Sequence, residues 1–175
     1  MIVVDHLPIA AIVDLVNEYA DPTRHVAGEA DGPYPTLESL APLGADGSDL
    51  VAVANDLHAV FADPAHAADR LNALVDRHGL RHRLADHGVL TWMRPESTDR
   101  VAAAAVAGLV DVVAEAGPDR LGICDAHRCV DVYVDASHAK TRSYCSPQCH
   151  TRARVARWRA AQRRAASAAK HEETP

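Results

Sequence analysis

The chain has 175 residues and a net charge of −6, and 48% of its residues are hydrophobic although it contains only one Phe and two Trp. This Ala-rich composition favours helices packed through small side chains over a core made largely of β-sheet. No stretch approaches the roughly 18 apolar residues of a membrane-spanning helix, and the N-terminus carries no basic leader, so we expect a cytoplasmic protein without a membrane partner.

The charge is divided unevenly along the chain. Residues 1–119 hold 7 Arg and Lys against 19 Asp and Glu, a net charge of −12, whereas residues 120–175 hold 11 against 5, a net charge of +6. An acidic body followed by a basic segment indicates two modules with different partners. The basic module suits a polyanion.

Apolar residues at helical spacing predict four helices in the first half of the chain. Between the first and the second, residues 21–35 contain several Pro and Gly and predict a loop. The helices are predicted over residues 8–20, from Thr36 to Leu40, from Ser48 onward, and from Asp63-Pro64 to Gly79.

Residues 80–94 predict a β-hairpin, because Leu80, His82 and Leu84 alternate before a turn at Asp86-His87-Gly88, and the run from Val89 to Met93 is apolar. A long helix rich in Ala and Val follows over about residues 99–116, with Ser97 or Thr98 as its N-cap. We therefore predict a mostly α protein with a small β-hairpin.

All four cysteines lie in the last third of the chain, with the spacing Cys124-x4-Cys129-x15-Cys145-x3-Cys149. Two close pairs separated by about 15 residues suit a tetrahedral Zn²⁺ ion, because each pair grips the metal from one tight turn. In a reducing compartment such cysteines are metal ligands more readily than disulfides. We predict one structural zinc ion, since four thiolates leave no open position for a substrate.

Two alternatives remain open for these cysteines. They are a pair of disulfides, and a site in which a nearby histidine replaces one thiol. The candidate histidines are His127, His138 and His150.

The residues around the cysteines predict a small zinc module. Val130, Val132 and Val134 alternate with polar residues and indicate a short strand. Ser146 suits an N-cap and Pro147 suits the first helical position, which places the last cysteine inside the first turn of a helix. One ligand before a helix and one within its first turn is a treble-clef-like arrangement.

The helix after the last cysteine is strongly basic and is our candidate for contact with nucleic-acid phosphates. We expect Val155 and Trp158 to pack this helix onto the knuckle formed by the cysteines. The alternative is that its arginines contact the acidic body. The predicted phosphate contacts, including two from the preceding loop, are Lys140, Arg142, Arg152, Arg154, Arg157, Arg159, Arg163 and Arg164.

The segment Cys145-Ser146-Pro147-Gln148-Cys149-His150-Thr151-Arg152 resembles the bacterial zinc-finger family named CGNR after its Cys-Gly-Asn-Arg tetrapeptide. In that family two upstream cysteines precede a short apolar strand that ends in Asp, as Cys124, Cys129 and Val132-Tyr133-Val134-Asp135 do here. The resemblance covers roughly residues 120–164. The tetrapeptide is Cys149-His150-Thr151-Arg152 in this chain, so it keeps the first and last residues of the family's motif.

The N-terminal region is similar to the helical domain, called ABATE, that usually accompanies this finger. The matching residues are Val13-Asp14-Leu15-Val16-Asn17, beside a Leu-Asp-x-x-Asn-like segment of that domain. The resemblance implies regulators of transcription under stress. We therefore divide the chain into an ABATE-like domain (1–117) that senses a ligand or partner, a CGNR-like finger with its basic helix (118–166), and a flexible tail (167–175).

The predicted function is regulation of transcription, with the finger binding DNA and the N-terminal domain sensing a small molecule or a protein. A homodimer is compatible with this function, because regulators commonly pair two half-sites by two-fold symmetry. The alternative is a finger for protein–protein interaction without direct DNA binding.

We do not predict an enzyme. The candidates for lining a pocket are Asp14, Asn17 and Glu18 on the first helix, but the sequence has no nucleophile–base pair, phosphate loop or open metal site.

Overall fold

The computed structural model describes residues 1–44, 47–85 and 88–172, and it confirms a mostly α protein with small antiparallel sheets. The helices are α1 (Ile9–Tyr19), α2 (Asp21–Ala27), α3 (Gly47–Ala62), α4 (Ala67–Arg77), α5 (Arg100–Ala116) and α6 (Pro147–Glu172). The strands are β1 (Ile2–Val3), β2 (Arg81–Leu84), β3 (Leu90–Arg94), β4 (Leu121–Ile123) and β5 (Val132–Val134). Short 3₁₀ turns cover Glu38–Leu43, Pro64–His66 and Pro118–Arg120.

The main core lies where α1, α3 and α5 contact one another. Its fully buried side chains include Ile12 of α1, Phe61 of α3 and Leu109 of α5. At Gly108 of α5 an added Cβ would lie 2.9 Å from the Cδ1 atom of Ile12. The small residues of α5 therefore let α1 approach closely, as the Ala-rich composition predicted.

The predicted hairpin is present as β2 and β3, with Leu84 opposite Leu90. Two residues of its predicted turn, Asp86 and His87, lie outside the described residues. β1 pairs with the other edge of β3 and gives a sheet of order β1-β3-β2. The sequence analysis missed β1, because two residues are too few to show an alternating pattern.

The loop predicted over residues 21–35 is wrong for its first part, which forms α2. Pro22 lies in the first turn of α2, where a missing N–H costs no intrahelical hydrogen bond, so the proline begins a helix. Gly28 ends this helix with a φ of 81°. The short helix predicted from Thr36 to Leu40 is a 3₁₀ turn over Glu38–Leu43.

The N-cap of α5 is Asp99 and not Ser97 or Thr98 as predicted. The Asp99 carboxylate accepts a hydrogen bond from the backbone N–H of Ala102 at 2.7 Å. The hydroxyl of Thr98 is used elsewhere, since it donates to the carbonyl of His78 at 3.0 Å.

The C-terminal strands pack on the helical body. β4 pairs with β5, and β5 lies against α1 and α3. Leu121 of β4 and Val132 of β5 belong to the main core. The segments on either side of the predicted boundary at residues 117 and 118 therefore share one core.

α6 continues to Glu172. It thus includes residues 167–172 of the segment for which we predicted a flexible tail. Within the described residues, the search for a helix both long and apolar enough to cross a membrane finds none.

Candidate metal centre and nucleic-acid interface

The four cysteines converge at the start of α6. The Sγ atoms of Cys129, Cys145 and Cys149 lie 3.5, 3.7 and 3.8 Å apart, and all four Sγ atoms lie within 4.8 Å of one another. Four thiolates around a tetrahedral Zn²⁺ ion, each at about 2.3 Å, would stand about 3.8 Å apart. The cysteines therefore fit one zinc ion, as predicted.

Neither alternative for the cysteines is present in the structure. The thiols are free, so they form no disulfide. The cluster of possible ligand atoms consists of the four cysteines, and in the described part of the chain no nitrogen of His127, His138 or His150 joins it.

A tight turn positions the first pair of cysteines. The N–H of Cys129 donates to the carbonyl of Ala126 at 3.1 Å, and the N–H of Cys124 donates to the carbonyl of Asp131 at 2.9 Å. Arg128 has a φ of 59°, a left-handed conformation that reverses the chain just before Cys129.

The start of α6 positions the second pair. Ser146 accepts a hydrogen bond through its Oγ atom from the N–H of Cys149 at 3.3 Å, and α6 begins at Pro147. This confirms the predicted N-cap. Cys145 lies just before the helix and Cys149 lies in its first turn, so the four cysteines meet at the N-terminal end of the helix.

Three of the four thiols, those of Cys129, Cys145 and Cys149, differ in how readily they ionise. Burial raises the pKa of Cys129 to about 12 and also raises the pKa of Cys145. Burial acts in the same direction on Cys149, but hydrogen bonds from Ser146 and from the other cysteines outweigh it and lower the pKa of Cys149 to about 7. Arg152 also donates to the Sγ atom of Cys149 at 2.9 Å. Zinc therefore displaces protons from at least Cys129 and Cys145 when it binds.

Residues 120–162 match the family model of the CGNR zinc finger. The C-terminal segment is therefore similar to a CGNR zinc finger. It contains all four cysteines, both C-terminal strands and α6 as far as Gln162. In place of the Gly-Asn of the family's name it has His150 and Thr151, which are both exposed. A search of curated proteins found no match for the chain.

Two of the predicted phosphate contacts hold the loop that leads into α6. Arg142 donates to the carbonyl of Val134 at 3.3 Å and to the carbonyl of Tyr144 at 2.8 Å. Lys140 forms an ion pair with Asp119. Both side chains thus have partners within the protein.

The other predicted phosphate contacts lie along α6 of the CGNR zinc finger. Arg152 donates to the Sγ atom of Cys149, and Arg157 donates to the hydroxyl of Tyr144 at 3.3 Å. Arg163 is exposed. Three further arginines are exposed and make no ion pair or hydrogen bond within the described residues; they are Arg154, Arg159 and Arg164.

The prediction that Val155 and Trp158 pack α6 onto the knuckle is wrong. The side chain of Trp158 is 62% exposed and that of Val155 is 37% exposed. The reason is helical geometry: nine residues at about 100° each place Trp158 on the opposite side of α6 from Cys149.

Two side chains of the helical body anchor the finger through its backbone. Asn17 of α1 accepts from the N–H of Val132 at 2.7 Å and donates to the carbonyl of Val132 at 3.2 Å. The Nε2 atom of His58 on α3 lies 3.2 Å from the carbonyl of Val130, to which it donates. Burial lowers the pKa of His58, which favours its neutral form.

The sequence analysis missed both anchors, because their partners are backbone groups more than 70 residues further along the chain. A signal was present at Asn17. It is an amide that directly follows the apolar residues of α1, and a buried amide needs a hydrogen-bond partner.

A cleft of 390 Å³ lies between α1 and the finger. Asp14 and Asn17 line its body side, whereas Cys145 and Ser146 line its finger side. Glu18, the third residue predicted to line a pocket, is not among the residues that line this cleft; burial raises the pKa of its carboxyl group. A molecule bound in this cleft would touch both the helical body and a zinc ligand.

Proposed function

We propose that this protein regulates transcription by binding DNA through α6 of its CGNR zinc finger. The surface of α6 carries this proposal. Between residues 151 and 164 only Ala153 and Ala160 are half-buried and the others are exposed. Arg154, Arg159 and Arg164 are exposed there and have no partner among the residues that the structure describes, and a guanidinium binds phosphate through two parallel hydrogen bonds.

In this proposal zinc has a structural role. Four thiolates fill the coordination sphere, so no position remains for a substrate or an activated water, and we propose no catalytic activity. The ion fixes the start of α6 relative to β4 and β5, and those strands hold the finger on the helical body.

We also propose that the helical body senses a small molecule or a protein. The cleft between α1 and the finger supports this part of the proposal, because its two walls come from the two segments. A homodimer would place two copies of α6 on two half-sites.

The alternative function is a finger that binds another protein and not DNA. The exposed Val155 and Trp158 favour it, since apolar side chains on a helix surface suit a protein partner. Docking of α6 on the protein's own acidic body receives no support from the ion pairs of the described residues. None of them joins Arg152, Arg154, Arg157, Arg159 or Arg164 to a carboxylate.

The test is fluorescence-anisotropy binding of the full-length, zinc-loaded protein to pooled duplex DNA across a salt series. We expect affinity to fall steeply with salt, with a log–log slope of about −0.9 for each phosphate contact. The Arg159→Ala/Arg164→Ala variant should make that slope shallower by about 2. The matched control is Arg81→Ala/Arg83→Ala, which removes the same charge from the exposed β2 strand.

A control variant that lowers the slope as much as the α6 variant would show that binding is not localised to α6. A flat, weak response to salt would contradict DNA binding and favour the protein-interaction finger.

A further inference from the structure

One face of α6 points away from the zinc cluster and is not dominated by arginine. At about 100° per residue, Trp158 lies opposite Cys149, and five other residues of the segment 151–164 lie within about 60° of Trp158: Thr151, Arg154, Val155, Ala161 and Gln162. All six residues are exposed, and Arg154 is the charged residue among them. We call Thr151, Val155, Trp158 and Gln162 the outer stripe.

Arginines flank the outer stripe in two rows. Arg157 and Arg164 lie about 100–120° from Trp158 on one side of α6, and Arg152 and Arg159 lie about 100–120° from it on the other side. Within each row the two arginines are seven residues apart, which is close to two helical turns. The rows therefore run nearly parallel to the helix axis, with the outer stripe between them. In each row one arginine, Arg159 or Arg164, makes no ion pair or hydrogen bond within the described residues, whereas the other donates to a neighbouring side chain of the finger.

We propose that α6 enters the major groove of duplex DNA with the outer stripe facing the base edges and the arginine rows facing the two phosphate backbones. This proposal rests on the DNA binding proposed above. The major groove is about 12 Å wide and admits a helix of about 10–12 Å in diameter, and its two walls carry phosphates. The outer stripe would then face the base edges at the bottom of the groove. The arginine row on each side of it would face one of the two negatively charged phosphate backbones.

The exposure of α6 permits this docking. The 14 residues from Thr151 to Arg164 span about 20 Å along the helix axis, which corresponds to about six base pairs of groove. The half-buried residues of this segment, Ala153 and Ala160, lie on the side of Cys149, so the partly covered face of α6 is the one opposite the outer stripe.

The side chains of the outer stripe are suited to distinct base contacts. Val155 and Trp158 suit the methyl group of thymine, and the amide of Gln162 suits adenine. Arg154, which lies about 40° from Trp158, suits guanine. Phosphate contacts carry no sequence information directly, so the outer stripe sets sequence preference and the arginine rows set salt-dependent affinity.

The experiment begins with selection of duplexes that carry a randomised central segment, by the full-length zinc-loaded protein. Affinities for the enriched duplex and for a scrambled duplex are then measured by fluorescence anisotropy. Trp158→Ala should lower the preference for the enriched duplex about tenfold and leave the salt slope unchanged. The matched variant Arg159→Ala should weaken both complexes equally and make the slope shallower by about 1.

A second measurement tests the contact with the methyl group directly. Replacing thymine by uracil in the enriched duplex removes the methyl group, so the wild-type protein should lose preference. Trp158→Ala should lose no more on the same replacement. Trp158→Phe, which keeps an aromatic ring, should retain part of the preference, and zinc content and circular dichroism verify that the variants fold.

Several outcomes would overturn the proposal. They are failure to enrich any sequence, equal preference in the wild type and Trp158→Ala, tighter binding to single strands than to the duplex, and a change of oligomeric state in Trp158→Ala. The third would mean that Trp158 stacks on unpaired bases, and the fourth that a second copy covers the outer stripe. DNA binding itself would still stand if the wild type bound duplexes in a salt-dependent manner, and it would fail with the loss of that binding.

Discussion

Asn17 joins the helical body to the zinc finger through both polar groups of its side chain. It pairs with the N–H and the carbonyl of Val132, a fully buried residue of the main core. We predict that Asn17→Ala destabilises the zinc-loaded protein by about 1–3 kcal/mol, because two backbone groups lose their partner. Urea unfolding measures the change.

Asn55 provides a matched control for Asn17. Its amide accepts from the N–H of Asp21 at 2.8 Å and donates to the carboxylate of Asp21 at 2.7 Å, but both bonds are exposed to water. Asn55→Ala should therefore cost less than Asn17→Ala. Equal costs, or no cost at Asn17, would contradict an anchoring role for Asn17.

The cysteines predict how zinc affinity depends on pH. Cys129, with a pKa of about 12, must lose a proton to bind zinc, whereas Cys149, with a pKa of about 7, is partly ionised at neutral pH. Thiols must be deprotonated to bind the metal, so affinity should fall as pH falls, more steeply below about pH 7 where Cys149 is protonated too.

Competition with a chromophoric chelator from about pH 6 to pH 8 measures this dependence, once the pH dependence of the chelator is subtracted. An affinity that stays constant over this range would contradict ligation by the four thiolates.

At the scale of elements, the start of α5 was predicted correctly but its N-cap was assigned to the wrong residue. Three neighbouring residues, Ser97, Thr98 and Asp99, all suit an N-cap, and the structure uses Asp99. We predict that Asp99→Ala destabilises the protein by about 0.5–2 kcal/mol, whereas Ser97→Ala changes stability by only a few tenths of a kcal/mol. Urea unfolding of the two variants compares them, and the reverse order would contradict the assignment of the cap.

The elements that the sequence predicted have strong local patterns. α1, α3, α4 and α5 carry apolar residues at helical spacing, and the start of α6 carries Ser146 and Pro147. β1 and β4 were missed because strands of two and three residues exist only through their partners. α2 was missed because Pro22 can either end one helix or begin the next.

At the scale of the whole molecule, the finger and the helical body share a core and differ in charge. The spacing of the cysteines was enough to predict the metal site. Two ligands held by one tight turn must be only a few residues apart, and this spacing is visible in the sequence. The orientation of Trp158 could have been predicted, since Trp158 follows Cys149 by nine residues and therefore lies on the opposite side of α6. By contrast, the sharing of the core by Leu121 and Val132 depends on long-range contacts.

Central to the proposed DNA binding is the link between the four cysteines and the surface of α6. Without zinc, four thiols would no longer hold the start of α6, and the arginine rows would lose their fixed orientation relative to the body. The basic residues would then bind DNA only as part of a loosely held chain.

The most direct measurement compares the affinity of zinc-loaded and zinc-depleted full-length protein for one duplex across a salt series. We predict that depletion weakens binding at least about tenfold, or about 1.4 kcal/mol, and that adding zinc restores it. Equal affinity and equal salt slope in the two states would show that the zinc-held geometry of α6 is not what binds DNA.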